Sequence, residues 1–223
     1  MKKLKLLYIA NSDLVFFQRL ASFFIHKGHD IYVIPAFRPK TKIDGVNYYY
    51  IPNITSGGLL SRLKAYRKVR QIIKILNPDI LHSLSIRPCG WLATFSAFHP
   101  HILSVMGSDI LINPHISVFR KYLTSLTLKK ADLVTAESKT VLKQATKFGA
   151  LGMNILLWQW GINLNEFNSY IDSFSLKKEL GLDDCFVILS TRNFKSIYNI
   201  DTIIKSIPIV LSRIPNACFL FKG

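Results

Sequence analysis

Acidic residues are scarce in this chain: 13 Asp and Glu stand against 29 Lys and Arg over 223 residues, a formal net charge of +16. An excess of that size does not define a fold, but it predicts attraction to polyanions or to acidic lipid surfaces. Cysteine is scarcer still. Cys89, Cys185 and Cys218 are scattered, odd in number and without metal-ligand spacing. Reduced thiols in a cytoplasmic protein are the simplest expectation. Long apolar runs are missing too. The best candidate, residues 14–25, is split by Gln18 and Arg19, and nothing approaches the ~18 residues of a membrane span. The opening Met1-Lys2-Lys3-Leu4-Lys5 imitates the basic start of a signal peptide, yet the apolar run 6–10 is too short and lacks a cleavage site. A soluble protein that need not stay away from membranes is expected.

Motif absences exclude several chemistries. No G-x-G-x-x-G follows the first strand pattern, so dinucleotide binding has no motif behind it. There is no Walker lysine, no H-E-x-x-H and no Cys/His zinc cluster, and Asp183-Asp184 is not a D-x-D pair. No metal and no bound cofactor is expected. No internal repeat or low-complexity segment stands out.

What is present is alternation. Segments 5–10, 30–35, 46–51, 79–84, 101–105, 132–136 and 155–159 read as strands. Between them, 14–27, 59–76, 89–98, 118–129 and 139–148 carry helix patterns, the first ended by Gly28. Continuous apolar strands alternating with helices predict a parallel sheet covered on both faces, a doubly wound, Rossmann-like α/β domain. It is placed at residues 1–162. A polar, broken stretch, 163–175, reads as a linker. Residues 176–223 then read as one βαβ unit, with strands 185–190 and 218–222 around a helix at 201–213. A domain with its own core usually needs roughly 100 residues, so the expectation is an incomplete second domain.

Much of the charge falls on the helix pattern 59–76, as Arg62, Lys64, Arg67, Lys68, Arg70 and Lys74. Leu59, Leu63, Tyr66, Val69, Ile73 and Leu76 recur at helical spacing on its other side. This reads either as the surface helix of a basic protein or as a face for an acidic membrane or substrate. No nucleic-acid-binding module accompanies it, so no nucleic-acid partner is expected.

Ligands of open parallel sheets bind outside the carboxyl ends of the strands. The residues there are Asn11, Ser12 and Asp13; His82 and Ser83; Gly107, Ser108 and Asp109; Glu137 and Ser138; and Gly161. Asn11, Ser12 and Asp13 can cap the helix that follows, whose N-terminus also offers N–H groups to an anion or hydroxyl. Gly107 permits close backbone approach, and Asp109 either accepts hydrogen bonds from sugar hydroxyls or caps its own turn. His82 reads as a structural histidine or a base. After the strand 185–190, Arg192 and Lys195 suit a diphosphate, or are solvated loop charges.

Four segments, in order, carry a resemblance: Ser104-Val-Met-Gly-Ser-Asp-Ile110, Ala131-Asp-Leu-Val-Thr-Ala-Glu-Ser138, Trp160-Gly-Ile-Asn-Leu-Asn-Glu-Phe167 and Ser190-Thr-Arg-Asn-Phe-Lys-Ser-Ile-Tyr-Asn-Ile-Asp201. Over nearly its whole length the chain resembles the retaining glycosyltransferases of family four, which have the GT-B fold of two facing Rossmann-like domains. The resemblance implies sugar transfer from a nucleotide-sugar, with retention and without metal. The acceptor would lie on the first domain and the donor on the second. Arg192, with Lys195, would neutralise the leaving diphosphate. Asn11, Ser12, Gly107, Ser108, Asp109 and Glu137 would hold substrate, with His82 and Asp109 as catalytic candidates. The chain departs from the family at Met106, where many relatives carry histidine or tryptophan, at Tyr198-Asn199, where many carry Lys-Gly, and in lacking the family's paired glutamates. It reads as the acceptor domain and first donor-domain unit of a transferase of surface polysaccharide or glycolipid synthesis, peripheral at the cytoplasmic membrane face and inactive alone. Its partners would be a nucleotide-sugar, a glycan or lipid-linked acceptor, an anionic membrane surface and a separately encoded C-terminal half. The competing reading is a non-catalytic membrane-surface or subunit-binding partner.

Overall fold

Strands that are apolar at every position demand cover on both faces, and this chain meets the demand with helices. The computed structural model describes residues 2–52, 54–55 and 59–223, without the side chains of Leu59 and Met153, so Met1 and the Leu59 end of the apolar stripe lie outside the described residues. Two compact units divide it, Met1–Gly161 and Ile162–Gly223.

The first unit runs β1 (Lys5–Ala10), α1 (Val15–His26), β2 (Asp30–Pro35), β3 (Val46–Tyr48), α2 (Leu59–Leu76) and β4 (Ile80–Leu84). An irregular turn, Ile86–Gly90, leads to α3 (Trp91–Ser96), β5 (His101–Val105), α4 (Ser108–Leu111) and α5 (Val118–Lys130). It closes with β6 (Leu133–Ala136), α6 (Lys139–Lys147) and β7 (Ile155–Leu157). The strands form one sheet in the order β3-β2-β1-β4-β5-β6-β7, and every pairing is parallel. The doubly wound α/β architecture expected from the alternation is the one observed.

Strand periodicity sorts the core. Leu7 and Ile9 of β1 face one side, packed with Ala65, Val69 and Ile73 of α2 and with Leu92 of α3. Leu6, Tyr8 and Ala10 face the other, against Phe17 and Ala21 of α1. A further cluster joins Leu103, Val105 and Val134 to Leu123, Leu128 and Val141. The buried stripe of α2 keeps Val69, Ile73 and Leu76 of the expected one, with Tyr66 half-buried against the same core, and departs from it at one position. Ala65 replaces Leu63, which is exposed, because the small alanine lets the helix backbone approach the sheet.

Four elements depart from the expected series. The edge strands β3 and β7 are shorter, each paired on one side only and therefore without a second ladder to extend them. The helix expected at 89–98 is shortened to Trp91–Ser96 and follows an irregular turn in which Arg87 is extended (φ −121, ψ 129), as a residue before proline prefers. Ala97, in the left-handed region at φ 57, ends α3. The segment read as a turn around Asp109 is helical, since Gly107 (φ +100) turns the chain into α4.

The second unit contains α7 (Phe174–Glu179), β8 (Phe186–Ser190), α8 (Ile200–Leu211) and β9 (Ala217–Phe221). β8 and β9 pair in parallel, with Val187 opposite Cys218. That register brings Cys185 to a Cα separation of 5.6 Å from Cys218, and the two form a disulfide. The expectation of three reduced thiols is corrected accordingly: proximity across the sheet, invisible at a sequence separation of 33, pairs two of them. Cys89 stays free and buried, and burial pushes its thiol up to about 12.

Only Ile200 and Ala217 are buried apolar residues in this unit, while Phe186, Leu189, Ile204 and Ile209 are exposed. Each such side chain left in water forgoes on the order of 1.5–3 kcal/mol, an upper bound. Limited proteolysis of the whole chain is expected to cut first in the stretch 162–175 or beyond it, leaving a resistant N-terminal piece. A C-terminal segment equally resistant would contradict that expectation.

Candidate active site

All strands of the first unit point the same way, so their carboxyl ends share one edge. The strand order reverses between β1 and β4, where a crevice opens. Asn11 and Ser12 leave β1 there. The Asn11 side chain accepts the Asp13 amide (3.2 Å), and Asp13 accepts the Lys40 amide (3.0 Å). These side chains hold the loop rather than cap α1, whose N-cap is Leu14 without a side-chain hydrogen bond. Ser12 is 1% exposed, and its hydroxyl has no partner among the described residues, a state that costs about 1–3 kcal/mol.

Across the crevice, Asp109 is buried with both oxygens engaged. One accepts the Ile86 amide (2.8 Å) and the other the Met106 amide (3.0 Å). Burial pushes its carboxyl above the ordinary range and the Glu137 charge adds to this, while the amides oppose them. The carboxylate thus ties the turn after β4 to the turn after β5. A Cβ on Gly107 would meet nothing within 4 Å, so glycine is required there for its positive φ and not for space. Ser108 is exposed at the start of α4. Glu137, after β6, is half-buried and accepts the indole N–H of Trp160. Trp160 packs against Phe16 and Trp158, with ring centroids 4.8 and 4.5 Å away. Ser138 caps α6 by accepting the Val141 amide (3.3 Å).

His82 lies inside β4, away from the open edge. Its Nε2 pairs with the Ser104 hydroxyl (2.8 Å), which pairs with Thr135 (2.7 Å), so a polar thread crosses β4, β5 and β6. Tyr8 packs on its ring at 5.3 Å. Ser83 meets His101 Nε2 at 2.8 Å. Burial lowers His82 to about 3 and His101 to about 4, so both are neutral at pH 7.

A cavity of about 760 Å³ also opens at the carboxyl ends of β2 and β4, and Arg62, Arg67, Arg70 and Arg87 line it. Between them stand Tyr66 and Phe95, ring to ring at 5.2 Å, and Trp91 and Phe119 at 6.4 Å. The sequence pattern marked the arginines of α2 as basic but not as cavity-lining, and it passed over Arg87 and Trp91. Arg62, Arg67 and Arg70 recur at five- and three-residue steps, the one available signal. Asn11, Ser12, Gly107, Ser108, Asp109 and Glu137 gather at the same edge of the sheet without lining this cavity.

In the second unit Arg192 and Lys195 follow β8, both exposed. The Arg192 guanidinium lies over the Tyr198 ring, 5.5 Å from its centroid. The described residues hold no group of three or more His, Cys, Asp or Glu able to bind a metal ion.

A parallel seven-stranded sheet with this strand order is the Rossmann-like domain of the GT-B glycosyltransferase fold. Residues 5–138 match the family described as Glycosyl transferase 4-like, and the chain belongs to that family. Among solved structures it is similar to HepE of Anabaena, in complex with UDP and glucose, at 18% identity and a TM-score of 0.76, over 98% of this chain and 60% of HepE. It is similar to the sucrose-phosphate synthase of Thermosynechococcus elongatus at 13% identity and a TM-score of 0.73, over 98% of this chain and 62% of the synthase. It is also similar to WaaG, a glycosyltransferase involved in lipopolysaccharide biosynthesis, at 11% identity and a TM-score of 0.71, over 97% of this chain and 62% of WaaG. No curated protein sequence matches it. At such identities the likeness speaks for the fold, and the chain spans 60% of HepE's length.

The buried histidines make stability acid-sensitive in a defined window. In the unfolded chain each takes up a proton near 6.5, whereas in the folded chain His82 does so only near 3 and His101 near 4. Their stabilising effect is therefore complete above pH 6.5 and is lost as pH falls toward the folded values. At about pH 4.5 the loss is on the order of 2 kcal/mol for each. Urea titrations from pH 7.5 downward should show this decline, and His82→Gln should flatten its slope.

Proposed function

We propose that the chain provides the acceptor side and the first donor-side elements of a retaining, metal-independent glycosyltransferase that uses a nucleotide-sugar. The observation that carries this is the family match over residues 5–138, laid on a sheet whose polar candidates converge on one carboxyl edge. The nucleotide-bound state of HepE, solved with UDP and glucose, supports a uridine nucleotide as the donor's leaving group. Arg192, with Lys195, would take the charge of the departing diphosphate: a guanidinium fork and an ammonium can do so where other enzymes use a cation. Asn11, Ser12, Gly107, Ser108 and Glu137 would hold hydroxyl groups at the crevice. His82 and Asp109, whose hydrogen bonds are spent on Ser104 and on two backbone amides, would position that wall rather than exchange protons with substrate.

The uncovered faces of β8 and β9 leave the second unit marginal, so turnover by these 223 residues alone is not expected. UDP binding is expected to be weak, with Kd of about 1 mM, and about tenfold weaker in Arg192→Ala. Saturation-transfer NMR with UDP measures both. No UDP signal, or one indifferent to Arg192, would remove the donor-side reading.

The surface polysaccharide or glycolipid setting at the cytoplasmic membrane face rests on charge and on α5. Its first turn exposes Val118, Phe119 and Tyr122 beside Arg120 and Lys121, a pairing of apolar and basic groups suited to an anionic bilayer. No helix among the described residues is long and apolar enough to cross a membrane. Liposomes containing anionic lipid should retain the protein and raised salt should release it, since exposed charge is screened over about 8 Å at physiological ionic strength. Equal retention by neutral liposomes would sink the electrostatic account.

A further inference from the structure

The arginine-lined cavity joins cations and aromatic rings on one wall. Arg62, Arg67 and Arg70 project from α2 and Arg87 from the turn after β4. The ion pairs among the described residues involve none of them, and neither α2 nor α5 carries a single acidic residue. Cations gathered in this way repel one another unless an anion shares them. Burial, and then the nearby Arg120 and Arg62 charges, pull the Arg87 guanidinium below its ordinary value, although it stays charged. Arg87 also lies over the Trp91 ring at 5.8 Å, a contact that leaves its fork open to a ligand.

Apart from Thr55, the rest of the wall is apolar or aromatic. The Tyr66–Phe95 and Trp91–Phe119 pairs, each set edge to face, supply its aromatic panels. Phe37, Leu63 and Phe119, all lining residues, are 52%, 47% and 63% exposed. A wholly hydrophilic anion would leave these panels wet, and an uncharged hydrocarbon would leave the arginines unanswered. The volume, about 760 Å³, falls within the range of roughly 300–1,000 Å³ usual for small-molecule sites.

We propose that this cavity binds the acceptor, and that the acceptor is a phosphorylated amphiphile whose phosphate or diphosphate engages the arginines while its apolar chain lies along the aromatic panels. This rests on the glycosyltransferase reading for the word acceptor, but the binding itself does not. The cavity opens on the same sheet edge as Asn11 and Gly107, so a head group held by Arg87 lies on the crevice side of the fold. Guanidinium forks match phosphate oxygens two at a time, and aromatic faces accept an isoprenoid or acyl chain without requiring a particular length.

Calorimetry on the whole chain tests this with three probes: farnesyl diphosphate, farnesol and inorganic diphosphate. Farnesyl diphosphate is expected to bind at least about tenfold more tightly than either part alone, and an Arg62→Ala, Arg87→Ala double variant to lose about tenfold of that affinity. Phe119→Ser, at an exposed position, should weaken farnesyl diphosphate while leaving inorganic diphosphate unchanged. Equal binding of farnesol would reduce the cavity to an apolar groove, equal binding of inorganic diphosphate would reduce it to an anion site, and absence of binding by all three would end the proposal. Arg192→Ala should leave farnesyl diphosphate binding intact. If UDP binds and farnesyl diphosphate does not, the acceptor inference fails while the transferase reading stands. If the reverse holds, the cavity remains a phosphorylated-amphiphile site and the donor-side reading falls.

Discussion

The parallel pairing of β1 with β4 is the constraint on which the rest of the first unit hangs. β1 takes β2 on one side, its neighbour in sequence, and β4 on the other, a partner reached only through α2. The chain therefore winds away from β1 in both directions, α1 covering one face and α2 with α3 the other. Helices that diverge in this way leave an opening at the carboxyl edge. Leu7 and Ile9 on one face, and Tyr8 on the other, hold the pairing by burying completely.

Two buried polar devices keep that opening in shape. The Asp109 carboxylate joins the turns after β4 and β5 through the Ile86 and Met106 amides. The thread from His82 through Ser104 to Thr135 locks three strands side by side. Such groups stabilise only when each is satisfied; Ser12, at the opening, is one of three buried polar side chains without a partner among the described residues, with Trp91 and Thr94. A wall packed in this way differs from the second unit, whose single crossover leaves most of its apolar surface in water.

Charge and apolar surface meet in the first unit because the same helix serves both. Ala65, Val69 and Ile73 fasten α2 to the sheet, and the adjoining turns carry Arg62, Arg67 and Arg70 over the cavity. Without the small residue at 65 the helix would stand further from the sheet and the cavity would have a different depth. Core packing and ligand chemistry are thus coupled through one helix.

The strand cores, most helix spans and the doubly wound class were legible in the residue pattern, because periodicity and turn residues act over a few positions. So was the carboxyl-edge address of Asn11, Ser12, Gly107, Asp109 and Glu137, which follows from strand direction alone. Three things were not. The irregular turn Ile86–Gly90 and the helical turn at Asp109 depend on backbone conformations imposed by neighbouring turns. The Cys185–Cys218 bond depends on a strand register that joins distant positions. The cavity depends on residues from the segment after β2, from α2, from the turn after β4, and from α3 and α5 coming together. Local sequence determines which stretches are strands and helices, because those preferences are short-ranged. Only tertiary packing decides which arginines share a wall with which aromatics, because that is settled by contacts between segments far apart in the chain.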